Sequence, residues 1–272
     1  MKRFWNAYPS REAAEAAWEE GAKKHASSHP LKKLPSQPNI VGITRMTRRF
    51  LKLKSIAYLL THDKEHLFLR AFLKRPLRYA FSYIKSVLKR KVTLRQGSFY
   101  LYGLKELSDF KESIARKDSL LIVGFSFCHK PRECPTERFH SACLFDPGHA
   151  VCRQCFIAKV KNFLPEERVL SFMIPTVYDI GKKILDTLKE NPHRKILFLI
   201  TACELSLEMF GDFAHALDIQ GIGIRLDGRI CNTFKAFTLA ERGIKPGFTS
   251  LSEEAKSAIL DLIKETREKT KN

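Results

Sequence analysis

The residues best suited to chemistry are seven cysteines, none of which occurs before residue 128. In chain order they are Cys128, Cys134, Cys143, Cys152, Cys155, Cys203 and Cys231. The first five fall within 28 residues, a stretch that also holds His129, His140 and His149. It ends in a Cys-x-x-Cys pair, and soft thiolate ligands at this density predict a zinc or iron–sulfur site.

Two assignments of these ligands fit the sequence. In the first, zinc or a cluster is held within the stretch by Cys134, Cys143, Cys152 and Cys155. The other three cysteines then form a separate set, and three thiolates can hold a 4Fe–4S cluster with one iron open to substrate. In the second, a single site draws on Cys128, Cys134, Cys152 and Cys155. His149, three residues before Cys152, is the strongest histidine candidate.

The compartment expected for these thiols is reducing. The chain starts Met-Lys-Arg-Phe-Trp and continues into Glu-rich sequence, without the apolar core of a secretory signal. Its apolar runs are far shorter than the roughly 18 residues that span a bilayer. We therefore expect a cytoplasmic protein in which cysteines bind metal or stay reactive, since disulfides are rare there.

The elements that must position the cysteines follow residue 118. Apolar runs predict strands over 120–127, 168–174, 195–200 and 221–226, and helical patterns lie over 177–189 and 205–217. This alternation predicts an α/β domain with an open, mostly parallel, Rossmann-like sheet. Residues 129–156 form a cysteine-rich insertion after the first strand. Because the carboxyl ends of parallel strands share one edge, Cys128, Cys203 and Cys231 are expected to meet there.

Residues 1–118 form a region of different character. They hold 26 Lys/Arg against 10 Asp/Glu, a net charge of +16, whereas residues 119–272 hold 22 against 19, a net of +3. We predict two parts: a basic, mainly helical region over 1–118 and a metal-binding α/β domain with a C-terminal helix over 119–272. The basic residues predicted to contact RNA or an anionic membrane surface are Arg45, Arg48, Arg49, Arg78, Lys85 and Lys89.

The order of short motifs over about residues 119–240 resembles the DUF116 family, a cysteine-rich domain of unknown function. The matching motifs are Arg-Glu-Cys134-Pro, Cys152-x-x-Cys155, Ala-Cys203 and Cys231-Asn-Thr, preceded by Cys128. The resemblance implies an α/β domain that binds a metal or an iron–sulfur cluster. His149 stands where the family pattern has the first cysteine of a tight triplet, so imidazole replaces that ligand or Cys143 supplies it.

Two functions follow from these patterns. The first is a metal or iron–sulfur protein with its site at the carboxyl edge of the sheet, suited to redox, sulfur-transfer or Lewis-acid chemistry. Polar residues expected to support that site are Glu204, Asn232 and Thr233. The alternative is a basic module that binds RNA or a membrane surface and whose zinc is purely structural. Whether the protein is an enzyme is left open.

Overall fold

The protein is built on a six-stranded sheet with a short two-stranded pair beside it. The computed structural model describes residues 3–32, 43, 51–74, 76–77, 80–81, 84, 93–217, 219–228, 230–245 and 247–268. The strands of the sheet are β1 (Leu94–Gln96), β2 (Phe99–Tyr102), β3 (Ser119–Ser126), β4 (Val169–Ile174), β5 (Lys195–Ala202) and β6 (Gln220–Arg225); β7 (Asp227–Gly228) and β8 (Thr249–Ser250) form the pair. The spatial order is β1-β2-β6-β5-β3-β4, in which β4, β3, β5 and β6 are parallel and the β1–β2 hairpin is antiparallel. The predicted α/β class with a mostly parallel sheet is confirmed.

Helices cover both faces of this sheet. They are α1 (Arg11–Ser28), α2 (Leu51–His62), α3 (Leu67–Lys74), α4 (Leu107–Ala115), α5 (Ala150–Gln154), α6 (Phe156–Phe163), α7 (Val177–Glu190), α8 (Glu204–Leu217), α9 (Phe234–Glu241) and α10 (Glu253–Glu268), with short 3-10 turns at Phe4–Ala7 and Phe127–His129. Alternate side chains of one strand point to opposite faces. On β3, Leu121 and Val123 therefore join a core under α1, α4, α6 and α10, while Leu120 and Ile122 join a core under α7 and α8.

Two helices begin with side-chain caps. The Ser10 side chain accepts a hydrogen bond from the Ala13 amide at the start of α1. Thr176 opens α7 in the same way, and the Asp179 carboxylate accepts the Thr176 amide in return. Such caps satisfy amides that have no partner inside the helix.

Residues before 118 share the sheet and core of the residues after it. Strands β1 and β2 extend the sheet through antiparallel pairing of β2 with β6. Trp5 and Trp18 are buried in the same core as Phe163 of α6, with each ring centroid 5–6 Å from that of Phe163. The boundary predicted at residue 118 therefore falls inside one continuous sheet. Of the helical pattern predicted for residues 41–91, the structure describes α2, α3 and a few residues that follow them.

An irregular segment, residues 130–149, separates the turn after β3 from α5. It holds neither helix nor strand, so its backbone polar groups have no ladder to satisfy them. Cys134 and Cys143 lie in this segment. Among the described residues, no helix combines the length and the apolar character needed to cross a membrane.

Candidate functional site

The strand order creates a crevice at the carboxyl ends of β3 and β5, because the connections that leave these two strands run in opposite directions. From β3 the chain moves outward to β4 on one side and then returns to β5 on the other. In open α/β sheets, ligands bind outside the carboxyl ends of strands at such a switch point. Cys128 lies in the turn that follows β3, and Cys203 directly follows β5. Both thiols therefore lie at the position where this class of sheet places its sites.

A small cavity of about 30 Å³ opens at this crevice. Its lining is mainly apolar and includes the ends of β3, β4 and β5 together with α9. The residues that matter chemically are Ser126, Cys128, Thr176, Cys203, Ser206, Cys231, Glu241 and Lys245. A mostly apolar cleft with a few convergent polar groups is the usual form of a small-molecule or cofactor site.

The three cysteines of the cavity are all buried free thiols. The Cys203 Sγ lies 3.2 Å from the Ser206 Oγ, and the Cys231 Sγ lies 3.5 Å from the Ala236 carbonyl oxygen. Burial raises the pKa of Cys231 to about 12, and charge on Cys203 and Cys128 adds to the rise while Lys245 opposes it. Burial also raises the pKa of Cys203, with the same opposition from Lys245. The three sulfurs thus lie within electrostatic range of one another, as the sequence predicted.

The other four cysteines are Cys134 and Cys143 of the irregular segment, and Cys152 and Cys155 in and directly after α5. Burial raises the pKa of Cys155 to about 12 and that of Cys152 to about 11, and charge on Cys143 and Cys134 adds to both rises. Burial also raises the pKa of Cys143. Cys152 lies in α5 and Cys155 ends it.

Lys130 holds the irregular segment together from inside. Its side chain is buried, and its ammonium reaches the carbonyl oxygens of Glu137, His140 and Ala142 at 2.5, 3.0 and 2.9 Å, with the Thr136 hydroxyl at 3.1 Å. An ammonium has only three N–H donors, so these acceptors share them. Because the segment has no ladder, this cation supplies several of the hydrogen bonds that its carbonyl groups need. Turns within the segment and the Asn162 amide, which donates to the Phe145 carbonyl at 2.7 Å, supply others.

Arg153 fastens α5 to the N-terminal helix. Its guanidinium donates to the carbonyl oxygens of Ala17 and Trp18, at 2.6 and 3.2 Å, and to that of Pro147 at 3.3 Å. A Cβ at Gly21 would lie 2.5 Å from this guanidinium, so α1 needs glycine there for the approach. The Cys152–Cys155 pair is therefore positioned by a helix more than a hundred residues away in sequence.

The thiols are gathered but do not yet enclose an ion. Within the described part of the chain, no three His, Cys, Asp or Glu side chains are placed so as to hold a metal. The donor chemistry fits zinc or an iron–sulfur cluster, because both groups consist of thiols and a bound metal displaces the thiol proton. Binding would require the side chains of each group to turn toward a common centre.

Glu241 also lines the cavity, although it was not predicted as a site residue. Its Oε1 accepts hydrogen bonds from the Tyr58 hydroxyl at 2.9 Å and from the Val177 amide at 3.0 Å. Its Oε2 is buried and finds no hydrogen-bond partner in the described parts of the chain. Burial raises the pKa of Glu241 to about 7, against the effect of those two hydrogen bonds. A carboxyl group with such a pKa can both give and take a proton near neutral pH.

Neither Glu241 nor Lys245 stands next to a cysteine or in a recognisable motif, and no pattern in the sequence could have identified them. They reach the cavity because α9 and the loop after it fold back over the strand ends. Lys245 places a positive charge near Cys203 and Cys231.

The polar residues predicted to support the site lie elsewhere. The Glu204 carboxylate points to the β1–β2 hairpin, where its Oε1 accepts from Arg95 at 2.7 Å and from Tyr100 at 3.0 Å. Although it adjoins Cys203 in sequence, it is not among the residues that line the cavity. Asn232 and Thr233 are exposed, and the Thr233 hydroxyl caps α9 by accepting the Ala236 amide. Adjacent residues at a helix start point in different directions. The position of Glu204 next to Cys203 in the sequence therefore does not place its carboxylate in the cavity.

The two histidines nearest the thiol groups differ in their bonding. His149 caps α5, with its Nδ1 accepting from the Val151 amide at 3.2 Å, so only its Nε2 is left for other contacts. The buried His129 Nδ1 has no hydrogen-bond partner within the described ranges. Burial lowers the pKa of His129 to about 3, which keeps the ring neutral.

The basic residues predicted to contact RNA or lipid lie outside the described residues. They are Arg45, Arg48, Arg49, Arg78, Lys85 and Lys89. That prediction therefore stays a prediction.

Replacing the buried cation tests whether it organises the irregular segment. We expect Lys130→Met to lower the free energy of unfolding by about 1–3 kcal/mol, because the carbonyls it serves would lose their donor. Alkylation of Cys134 and Cys143 should also become faster, measured by mass spectrometry of peptides after timed labelling. Lys117→Met, at an exposed lysine, is the matched control and should change neither quantity. Unchanged stability and labelling in Lys130→Met would show that the segment is held by other contacts.

The raised pKa of Glu241 predicts a specific pH dependence of stability. Because its pKa is about 7 in the folded protein and near 4.5 when unfolded, folding binds a proton between these values. Its ionisation therefore costs stability progressively as pH rises from about 4.5 through about 7. The Glu241→Gln variant lacks this cost, so its melting temperature should rise relative to wild type across that window and stay level above it. Glu254→Gln, at an exposed carboxyl, should run parallel to wild type. If the melting temperature of Glu241→Gln instead keeps a constant difference from wild type across this pH window, the pKa of Glu241 is not raised.

Comparison with known proteins adds no relative to this description. No protein-family model, no curated protein and no solved structure matches the chain. The resemblance to the DUF116 family accordingly stays a prediction from the order of the cysteine motifs.

Proposed function

We propose that this chain is a thiolate-ligated metal or iron–sulfur protein whose reactive site is the cavity at the carboxyl edge of the sheet. The observation that carries the proposal is the meeting of Cys128, Cys203 and Cys231 in one cavity. These residues come from three separate connections of the sheet and are 75 and 28 positions apart in sequence. Buried cysteines are common as small apolar residues. Three around one cavity, with an adjacent lysine, are better explained as a ligand set.

The protein's own groups suit such a site. The raised pKa values of Cys203 and Cys231 mean that both are protonated thiols at neutral pH until a metal replaces the proton. Lys245 would offset part of the negative charge of the thiolates. The Glu241 carboxyl could hold or release a proton at its free Oε2, and the apolar lining limits access of water. When bound, a cluster or metal would supply redox, sulfur-transfer or Lewis-acid chemistry.

The second thiol group is proposed to have a structural role. Cys134, Cys143, Cys152 and Cys155 offer the four soft ligands of a closed zinc site or a cluster. Metal there would tie the irregular segment to α5, and the segment would then be a cysteine-rich insertion on a Rossmann-like sheet, as in the DUF116 resemblance. The single site built from Cys128, Cys134, Cys152 and Cys155 is less favoured, because charge on Cys128 acts on the pKa values of Cys203 and Cys231.

Metal analysis of matched cysteine variants tests the proposal. After anaerobic purification, we expect wild-type protein to retain metal at both groups. Cys203→Ser should lose the metal of the cavity alone, and Cys134→Ser that of the segment alone, so each variant serves as the control for the other. Absorbance near 400 nm identifies iron–sulfur, whereas a colourless zinc protein favours the purely structural alternative.

Two results would count against this assignment. Loss of all metal in Cys134→Ser, with none lost in Cys203→Ser, would favour the single site. A folded wild-type protein that contains no metal after anaerobic purification would refute metal binding altogether.

A second candidate role is contact with a polyanion, and charge is the observation that favours it. Residues 43–91 carry 14 Lys/Arg against 2 Asp/Glu, a net charge of +12. A surface of one sign attracts phosphate-bearing partners and loses them as salt rises. RNA and an anionic membrane surface are both partners of this kind.

Retention on immobilised heparin tests this second role. We expect the full chain to bind at low salt and to elute as salt increases, because the contact is electrostatic. Reversing charge at the two described basic positions of α3, with Arg70→Glu and Lys74→Glu, should lower the eluting salt concentration. Lys105→Glu and Lys117→Glu provide the same change in charge outside this region. Equal elution of the two double variants would show that retention reflects net charge alone.

A further inference from the structure

The basic N-terminal region exposes a row of large apolar side chains. On α2, Leu53 and Leu60 are 60% and 74% exposed, and Ile56 lies between them on the same face. On and after α3, the exposed residues follow one another at intervals of four and then three positions: Leu69, Leu73, Leu77, Phe81 and Ile84. Spacing of three and four places side chains on one face of a helix, and the described residues from 76 to 84 are helical. We call these eight residues the apolar stripe.

Other residues of α2 and α3 pack against the protein or carry a charge. Tyr58 lies about 140° around α2 from Leu53, given 3.6 residues per turn, and it is buried against α9. Phe68 of α3 packs on Tyr178 of α7 and Phe213 of α8. Arg70 and Lys74 are exposed beside the stripe. Each helix therefore has one face anchored on the protein and another that is apolar and exposed, and on α3 basic residues lie alongside the apolar face.

We infer that the apolar stripe docks on the surface of an anionic lipid bilayer. This inference rests on the polyanion role proposed above and narrows the partner to lipid. An amphipathic helix with basic residues beside its apolar face lies in the membrane interface, where the apolar side chains enter the acyl boundary and the cations meet anionic headgroups. Exposed patches of this kind mark interaction sites on soluble surfaces.

Charge and side-chain type disfavour a second copy of this chain and RNA as partners of the apolar stripe. A second copy of this chain would bring the same net charge of +12 against itself, so the two faces would repel. RNA would satisfy the cations but would leave the leucines in water, because nucleic acids are bound through phosphate contacts and stacking on planar groups. A lipid surface offers negative charge and apolar volume together, which matches both features of the stripe. A membrane-spanning arrangement does not fit, because no described helix is long and apolar enough.

Vesicle flotation with the full chain tests the inference. We expect binding to vesicles of phosphatidylcholine mixed with phosphatidylserine and much weaker binding to phosphatidylcholine alone. The double variant Leu73→Ser/Leu77→Ser should weaken binding by about tenfold for each leucine removed from the bilayer. The matched control Leu94→Ser/Ile244→Ser changes two residues that are similarly exposed outside the stripe and should bind like wild type. Equal melting temperatures verify that all variants are folded.

A charge variant provides an independent measurement. Arg70→Gln/Lys74→Gln should weaken binding to the mixed vesicles and reduce its dependence on salt, while leaving the stripe intact. Unaltered vesicle binding in the leucine variant, or equal binding to both vesicle types, would overturn the inference. Binding to a single-stranded RNA oligonucleotide without binding to vesicles would overturn it while leaving the polyanion role in place. Binding to neither probe would remove both.

Discussion

The irregular segment that holds Cys134 and Cys143 depends on a buried cation, which supplies donors in place of regular secondary structure. Residues 130–149 form neither helix nor strand, yet they must hold Cys134 and Cys143 near α5. Backbone carbonyls cannot be buried without donors, and the Lys130 ammonium supplies donors to several at once. The desolvation cost of that ammonium is offset by its charge-assisted hydrogen bonds. A compact irregular loop can therefore lie over the sheet edge without a ladder of its own.

The second constraint is topological. Parallel strands deliver their carboxyl ends to one edge, and the order β4-β3-β5-β6 makes the connections after β3 and β5 diverge around a crevice. Cys128 and Cys203 follow those two strands, so the sheet brings them together whatever lies between them in sequence. Cys231 joins them because α9 returns over the crevice. The cavity is thus a product of the whole domain, whereas the other four cysteines belong to a local loop and a short helix.

Strand periodicity and cysteine position were sufficient to predict much of this arrangement. The four parallel strands are apolar and alternate with helices, and β3, β5 and β6 are buried on both faces, so these signals are local. Local signals do not report where a side chain points once a helix begins, which is why Glu204 was expected beside Cys203 but bonds to Arg95 and Tyr100. Glu241 and Lys245 reach the cavity through tertiary packing alone. The edge strand β1 was equally hard to predict, because its three residues have no periodicity to detect.

A hydrogen bond joins the basic N-terminal region to a residue that lines the cavity. Tyr58, on the anchored face of α2, donates to Glu241, whose other oxygen is free at the cavity. The hydroxyl is itself desolvated, and burial together with Glu241 raises the pKa of Tyr58, so it stays a donor. The opposite face of the same helix carries Leu53 and Leu60. A partner that seats on the apolar stripe and shifts α2 would therefore change the environment of Glu241 directly, since the helix contributes one of the two donors to that carboxylate. This contact adds to the shared sheet and core that already join the two regions suggested by the sequence.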